Sequence, residues 1–352
     1  MKIALVAPPF IAVPPKKYGG TELFIAELAT GLKNKGLDVV LYANGESTVP
    51  VELRYMFEKE QWPLQNEMEA TLKELTHSAW AVKDAAAEAD LVHVNTAPSL
   101  SFSRFVDVPF VYTVHHDYQQ ELADYYATLP DVSYVTISDF QRDKLPIPQT
   151  KMRTIHHGID LGLYQLHEHK QQYLTFLGRV APPKGTHLAI EIAKKSGIPL
   201  KIAGEIQPIY QEYWETRVKP HVDGKFIEYV GEVGVEQKND LLGNSLAMLF
   251  PIQWDEPFGL VLIEAMACGT PVLAMPGGSV AEIVKDGVSG HVSPSVEGLA
   301  RYAQHLNLDP KAVRQHVEEN FSVARMVDDY IQLYSELAAP GQSRREPRRA
   351  VA

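Results

Sequence analysis

Short runs of apolar and β-branched residues alternate along the chain with longer segments in which apolar residues recur every three or four positions. Strands buried on both faces read as continuous apolar runs and their covering helices as amphipathic stretches, so the pattern predicts parallel sheets layered with helices. In the first half the strands fall at Lys2–Ala7, Asp38–Ala43, Leu91–Asn95, Pro109–His115 and Tyr134–Ser138. Between the first two, a helix begins near Thr21, carries Phe24, Leu28 and Leu32 at a spacing of four, and stops at Gly36. The loop before it, PPFIAVPPKKYGG, is too rich in Pro and Gly to be regular. It leaves the carboxyl end of the first strand, where open α/β sheets hold ligands.

The alternation starts again after residue 166. Strands are expected at Tyr173–Leu177, Leu200–Ala203, Phe226–Val230, Ala247–Pro251 and Pro271–Met275, with helices near 185–196, 208–219, 235–243 and 258–268. Two such sets, separated by GIDLGLYQLHEHKQQ, predict two Rossmann-like α/β domains facing each other across a cleft, over residues 1–165 and 166–321. Residues 322–340 hold a final amphipathic helix with Met326, Tyr330, Leu333 and Leu337 on one side, and residues 341–352 read as a disordered tail.

Length and composition narrow the function. A chain of 352 residues with 45% hydrophobic and 22% charged residues can bury two cores, which excludes disordered and fibrous classes. A net charge of −11 opposes a sequence-independent grip on nucleic acid or on an anionic bilayer. A single cysteine, Cys268, excludes an internal disulfide and any multi-cysteine metal site. The opening MKIALVAPPF lacks the apolar core of a secretion signal, and no uncharged run reaches the roughly 18 residues of a membrane span. A cytoplasmic protein is expected.

The strongest local signal is Glu256-Pro-Phe-Gly-Leu-Val-Leu-Ile-Glu264. Pro257 and Gly259 start a helix near Phe258, whose free N–H groups can hold a phosphate, while Glu264 is an uncomfortable carboxylate on an apolar helix. Arg179 and Lys184 follow a strand five residues apart and can point at one anion. Gly19-Gly20 before a helix lets backbone approach a phosphate or sugar, or else serves as a loop terminator with Thr21 as cap; Gly277-Gly278 reads in the same two ways. His115 and His116 end a strand; His93 also sits at a strand end and reads as structural. A nicotinamide-dependent oxidoreductase is excluded because no G-x-G-x-x-G follows a strand. A glycoside hydrolase built on Glu256 and Glu264 fails on geometry. On one helix the two would be roughly 12 Å apart, beyond the roughly 5–9.5 Å of a working carboxylate pair.

These segments together resemble the retaining nucleotide-sugar glycosyltransferases of family four (group one). The carriers are Tyr18-Gly19-Gly20-Thr21-Glu22, Gly178-Arg179 through Lys184-Gly185, the pair Glu256 and Glu264, and Gly277-Gly278 with Glu282. The resemblance spans residues 2–290 and implies the GT-B arrangement of two Rossmann-like domains, the first on the acceptor side and the second on the donor side, with the final helix returning to the first. It implies transfer of a hexosyl group, with retention, from a nucleoside diphosphate sugar to an acceptor hydroxyl. Arg179 and Lys184 would hold the diphosphate, Glu264 the ribose, and Glu256 and His115 the hexose. Backbone at Val233, Gly19, Gly20, Phe258, Gly259 and Leu260 would complete the donor site. His116 would replace His115 if the strand ended one residue later. His157-Gly158-Ile159-Asp160 departs from the family's usual asparagine, and Ser138-Asp139-Phe140 matches its serine-containing turn. No Asp-x-Asp occurs, so no carboxylate-held metal is expected and no cofactor beyond the nucleotide-sugar co-substrate. The acidic segment 52–76 favours a soluble acceptor over a lipid surface. A nucleotide-sugar or saccharide-binding protein without turnover, or a sugar-nucleotide epimerase, shares the same frame.

Overall fold

The computed structural model describes residues 1–339 apart from 17, 18 and 65, so the sequence assignments to Tyr18 and to the 341–352 tail fall outside the described residues. The chain forms two compact units: Met1–Gly158 together with the segment from Val323 onward, and Ile159–Ser322. The boundary lies seven residues before the expected 165. Residues 159–165 are tied to the second unit by Ile159 N–H donating to Phe321 O (3.0 Å), Tyr164 OH to Glu264 (2.9 Å) and Gln165 N–H to Asn239 (2.9 Å).

The first unit runs β1 (Lys2–Val6), α1 (Gly20–Asn34), β2 (Asp38–Ala43), β3 (Glu52–Tyr55), α2 (Glu67–Ala85), β4 (Leu91–Val94), β5 (Phe110–Val114), α3 (Gln120–Ala127), β6 (Ser133–Thr136), α4 (Asp139–Lys144) and β7 (Met152–Thr154). Its seven strands pair in the order β3-β2-β1-β4-β5-β6-β7, all parallel. Alternation along each strand feeds two cores. Ile3 and Leu5 pack with Phe24, Leu28 and Leu32 of α1 and with Met326, Tyr330 and Tyr334 of the terminal helix, Val323–Leu337. Ala4 and Val6 face Tyr42, Ala81, Val94, Tyr112 and Tyr126 on the other side.

The second unit runs β8 (Leu174–Leu177), α5 (Thr186–Ser196), β9 (Leu200–Ala203), α6 (Gln211–Tyr213), β10 (Ile227–Gly231), α7 (Val235–Gly243), β11 (Ala247–Phe250), α8 (Leu260–Ala267), β12 (Val272–Ala274), α9 (Val280–Ile283), β13 (Gly290–Val292), α10 (Val296–Gln304) and α11 (Pro310–Asn320). Its sheet is also parallel, in the order β10-β9-β8-β11-β12-β13. In both sheets the winding reverses once, at β1/β4 and at β8/β11. The loops leaving those pairs diverge and open a crevice at the carboxyl end, the ligand position of doubly wound sheets.

Three strands escape the sequence pattern: β3, β7 and β13 are sheet edges of three or four residues with partly exposed side chains, too short and too mixed to give an apolar run. The helix expected at 208–219 is broken into a 3₁₀ turn, the short α6, a π segment at Trp214–Val218 and another 3₁₀ turn. Prolines 208 and 220 stand in the two 3₁₀ turns, where a missing N–H is tolerated.

Histidines cement the first unit. His93, fully buried, bonds Tyr334 OH (2.6 Å) and Thr113 Oγ1 (2.8 Å), while His77 donates from Nε2 to Ala7 O (3.1 Å). Burial pushes His77 down to about 4, and His93 and His157 to about 3. Depressed imidazoles stabilise the fold above their unfolded value of about 6.5, and that stability is lost as pH falls toward the folded values. Three such groups give a loss on the order of 4 kcal/mol per pH unit near pH 5. Urea denaturation at pH 7, 6 and 5 checks this: the unfolding free energy should fall steeply and progressively, and a flat response over that range would contradict it.

Candidate functional site

In the second unit the chemistry gathers at the β8/β11 reversal. Arg179 stands two residues beyond β8 and Lys184 ends a 3₁₀ turn, Pro182–Lys184; Glu256 lies on the loop leaving β11. The two loops meet because residue 185 is glycine. Gly185 has φ +73°, and a Cβ there would stand 1.9 Å from Pro251 O. Gln253 N–H donates to Pro183 O (2.7 Å) across the same seam.

Lys184 Nζ and Glu256 Oε2 are 2.6 Å apart, with Glu256 only 8% exposed. Trp254 closes the group, its Nε1–H donating to the same carboxylate oxygen (3.1 Å) while Lys184 Nζ lies 4.5 Å from its ring centroid. Glu256 itself is gripped from behind. Its carbonyl accepts from Ser279 N–H (2.9 Å), and a Cβ on Gly278 (φ +57°) would come within 2.1 Å of that carbonyl. Gly277-Gly278 is therefore a packing surface for the Glu256 loop, with Glu282 beyond it in α9. Arg179 differs from Lys184. Among the described residues it has no carboxylate partner, and its buried Nε has no hydrogen-bond partner.

Glu264 does not join this group. It is buried in α8, where Lys238 Nζ approaches both of its oxygens (2.8 and 3.1 Å) and Tyr164 OH donates to Oε1 (2.9 Å). The expected helix 258–268 starts two residues later, at Leu260, with Gly259 at φ +85° as its N-cap; Glu256 is thus in the loop and not on the helix. Phe258 buries its ring, and its carbonyl accepts from Ser279 Oγ (2.8 Å). Val233 lies two residues past β10, whose last residue, Gly231 (φ +81°), sits at a shift in register with β9. Lys238, Tyr164 and Trp254 were missed from sequence. A glutamate on an apolar helix signals that some cation must face it, but its identity is set by a contact across 26 residues.

In the first unit Gly19 is the N-cap of α1 and Gly20 its first residue; Thr21 does not cap it. A Cβ on Gly19 would stand 2.8 Å from Pro15 Cβ and 2.9 Å from Glu22 Oε2. His115 lies one residue past β5, its Nε2 2.9 Å from Asn95 Oδ1. Asn95 Nδ2 donates to Val6 O, so Oδ1 accepts from His115 Nε2–H and leaves Nδ1 with a lone pair. His115 stacks on His157 (centroids 5.6 Å, planes 11° apart) and leans on Phe24 (4.9 Å). Burial, then the neighbouring His157, His93 and His116, hold it well below the ordinary imidazole range. His116 is committed elsewhere, between Tyr126 OH (2.5 Å) and Asp117 O (2.6 Å). Ser138 caps α4, its Oγ accepting from Gln141 N–H (3.1 Å).

The Glu264 cluster yields a stability prediction. Lys238→Ala leaves a buried carboxylate with a hydroxyl alone, and removing one partner of a buried pair costs roughly 3–5 kcal/mol. Chemical denaturation should show a loss of that order, with Glu264→Gln in the Lys238→Ala background recovering a good part of it. No recovery would contradict the assignment.

Comparison with known proteins bears on the family and the fold. The family model described as Glycosyltransferase Family 4 matches residues 18–163, and the model described as Glycosyl transferases group 1 matches residues 165–321. Spore coat protein SA of Bacillus subtilis is 24% identical, with 95% of this chain and 99% of that protein aligned. The crystal structure of AviGT4, a glycosyltransferase involved in avilamycin A biosynthesis, is 25% identical with a TM-score of 0.71, covering 97% of this chain and 98% of that one. Anabaena Alr3699/HepE, crystallised with UDP and glucose, superposes with a TM-score of 0.75 at 19% identity over 96% of this chain and 100% of that one. With both halves matched by models of one enzyme group and nearly the whole length superposed on its structures, the chain belongs to the group 1, GT4-like glycosyltransferases of GT-B fold.

Proposed function

We propose that the protein is a metal-independent hexosyltransferase that moves a sugar from a nucleoside diphosphate to an acceptor hydroxyl with retention at the anomeric carbon, in the cytoplasm and on a soluble acceptor. The observation that carries it is Arg179, a cation without a carboxylate partner among the described residues, on the same loop as Lys184 at the strand-order reversal. An uncompensated guanidinium there calls for an anion, and a diphosphate fits the fork of Arg179, the ammonium of Lys184 and the N–H groups opening α8 at Gly259 and Leu260. HepE, also crystallised with UDP-glucose, offers a donor of this class.

In this reading Lys184 changes partner. Without donor it neutralises Glu256; with donor it turns to the diphosphate and frees Glu256 to accept from a hexose hydroxyl. His115, neutral and with its Nδ1 lone pair unused, accepts from another hydroxyl of the hexose, and Gly19-Gly20 offer backbone N–H groups. Backbone at Val233 and Phe258 borders the nucleotide, and Glu264, oriented by Lys238 and Tyr164, accepts from the ribose. The bond from the anomeric carbon to the diphosphate oxygen breaks as negative charge builds on the leaving group, where Arg179 and Lys184 stabilise it. The acceptor oxygen bonds to that carbon on the same face, and its proton passes to a diphosphate oxygen.

Substitution separates the roles. Arg179→Ala and Lys184→Ala should each reduce turnover and weaken binding of the free nucleoside diphosphate, by roughly 2–4 kcal/mol in the transition state. Glu256→Ala should cut turnover strongly yet leave diphosphate affinity equal or higher, since it removes the carboxylate that competes for Lys184. Glu264→Gln should act mainly on nucleotide affinity. Calorimetry with UDP and diphosphate release from a nucleotide-sugar panel measure both; a Glu256→Ala protein with full turnover would sink the assignment. Turnover should also survive excess EDTA, and restoration only by magnesium or manganese would show that these cations do not serve alone.

A further inference from the structure

We propose that Arg314 of α11 is a positioning residue for the nucleotide: it fixes the Tyr164 hydroxyl on the Glu264 carboxylate and so sets which carboxylate oxygen meets the ribose. The inference rests on the transferase reading above, in which Glu264 accepts from the ribose, and deepens it.

Helix α8 ends at Ala267, one turn past Glu264, and the last carbonyls of a helix have no partner within it. The start of α11 packs close against that end because residue 269 is glycine. At φ +72°, a Cβ there would stand 2.5 Å from Leu166 Cδ1 and 3.0 Å from Pro310 Cβ. Arg314, in the second turn of α11, spends one guanidinium nitrogen on two carbonyls: Nη1 donates to Ala267 O and to Tyr164 O, both at 2.7 Å. Nη2 donates to Leu161 O (3.3 Å) and Nε to Glu318 (2.7 Å). One rigid planar group thus holds the backbone of Tyr164 against the helix turn that carries Glu264.

Capping the helix would not by itself need this span. Lys170 Nζ takes the next carbonyl, Cys268 O (3.0 Å), together with Gly243 O (2.8 Å) at the end of α7, a cation where the helix dipole favours one. Arg314 adds the tie to residue 164, whose side chain ends in the hydroxyl that donates to Glu264 Oε1 (2.9 Å). Among the described residues Oε1 also accepts from Lys238 Nζ (2.8 Å), whereas Oε2 accepts from Lys238 alone (3.1 Å). With two donors on Oε1, Oε2 is the oxygen that keeps acceptor capacity for a ribose hydroxyl. If Tyr164 withdraws, both oxygens are left to one ammonium on a flexible stem, which holds the carboxylate's charge but not its rotation. A lysine at 314 carries its donors on a single such nitrogen and cannot reproduce the fork across Leu161, Tyr164 and Ala267.

The test uses the full chain and whichever of UDP, GDP and ADP binds most tightly, compared with its 2′,3′-dideoxy analogue, which lacks the hydroxyls assigned to Glu264. The ratio of the two dissociation constants reads the ribose contact apart from general affinity and stability. In the parent the ribose form should bind about tenfold tighter or more, as expected for a hydrogen bond to a charged group. Arg314→Lys should cut that ratio about threefold or more and raise the donor KM, while kcat at saturating donor and the acceptor KM stay within about twofold. Tyr164→Phe should cut the ratio as far, and adding Arg314→Lys to it should lower the ratio by less than about twofold more, since both act through one hydroxyl. Glu318→Gln, which alters only the partner of Nε, should leave the ratio unchanged. An unchanged ratio in Tyr164→Phe would overturn the inference whether or not the Arg314 variant folds. A parent that binds both forms alike, an unchanged ratio in folded Arg314→Lys, full additivity in the double variant, or an equal loss in Glu318→Gln would overturn it as well. If none of the three diphosphates binds and no nucleotide sugar releases diphosphate, the transferase reading itself falls instead.

Discussion

A parallel sheet covered by helices on both faces has no free surface for polar chemistry, and both units here live under that constraint. Their central strands are mostly apolar, so charged groups collect where strands end and, above all, where neighbouring connections part. The reversal at β8/β11 separates two loops and then draws them together again through a glycine, placing Lys184 and Glu256 in contact across 72 residues of sequence. At the β1/β4 reversal Asn95 links the strand ends, its Nδ2 donating to Val6 O and its Oδ1 accepting from His115 Nε2–H. What each site can do follows from which side chains those few loop positions carry.

The electrostatics of the two crevices are opposed. In the second unit the loops at the sheet end carry Lys184, paired with Glu256, and Arg179, which has no carboxylate partner among the described residues. In the first unit burial holds the imidazole of His115 well below its ordinary range, and raises the carboxyls of Glu22 and Glu74, which have no ion-pair partner among the described residues.

What the chain disclosed beforehand depended on range. Arg179, Lys184, Gly259 and Glu256 sit in short local patterns whose chemistry is complete within a few residues, so their placement at strand ends was legible. Central strands were legible because burial on both faces forces an unbroken apolar run; the edges β3, β7 and β13 face solvent on one side and carry no such mark. Partners chosen across the fold were invisible: Lys238 for Glu264, Asn95 for His115, Tyr334 for His93. The domain boundary shifted for the same reason, since Tyr164 reveals its allegiance only through a hydrogen bond to residue 264.

The terminal helix gives the chain a history as well as a shape. Met326, Tyr330 and Tyr334 complete a core begun by Ile3 and Leu5, and Tyr334 supplies one of the two partners of His93. The second unit is thus an insertion within the first, entered at Ile159 and left at Ser322, two residues joined by a β-bridge. During synthesis at about 5–20 residues per second, roughly 10–40 s separate emergence of residue 158 from that of the terminal helix. The later-made unit can finish folding first, while the earlier one waits with an apolar sheet face uncovered and its histidines accessible to protons. Protection of that open face, by chaperone or by transient contact with the chain's own nascent segments, is a demand that the order of the polypeptide places on the cell.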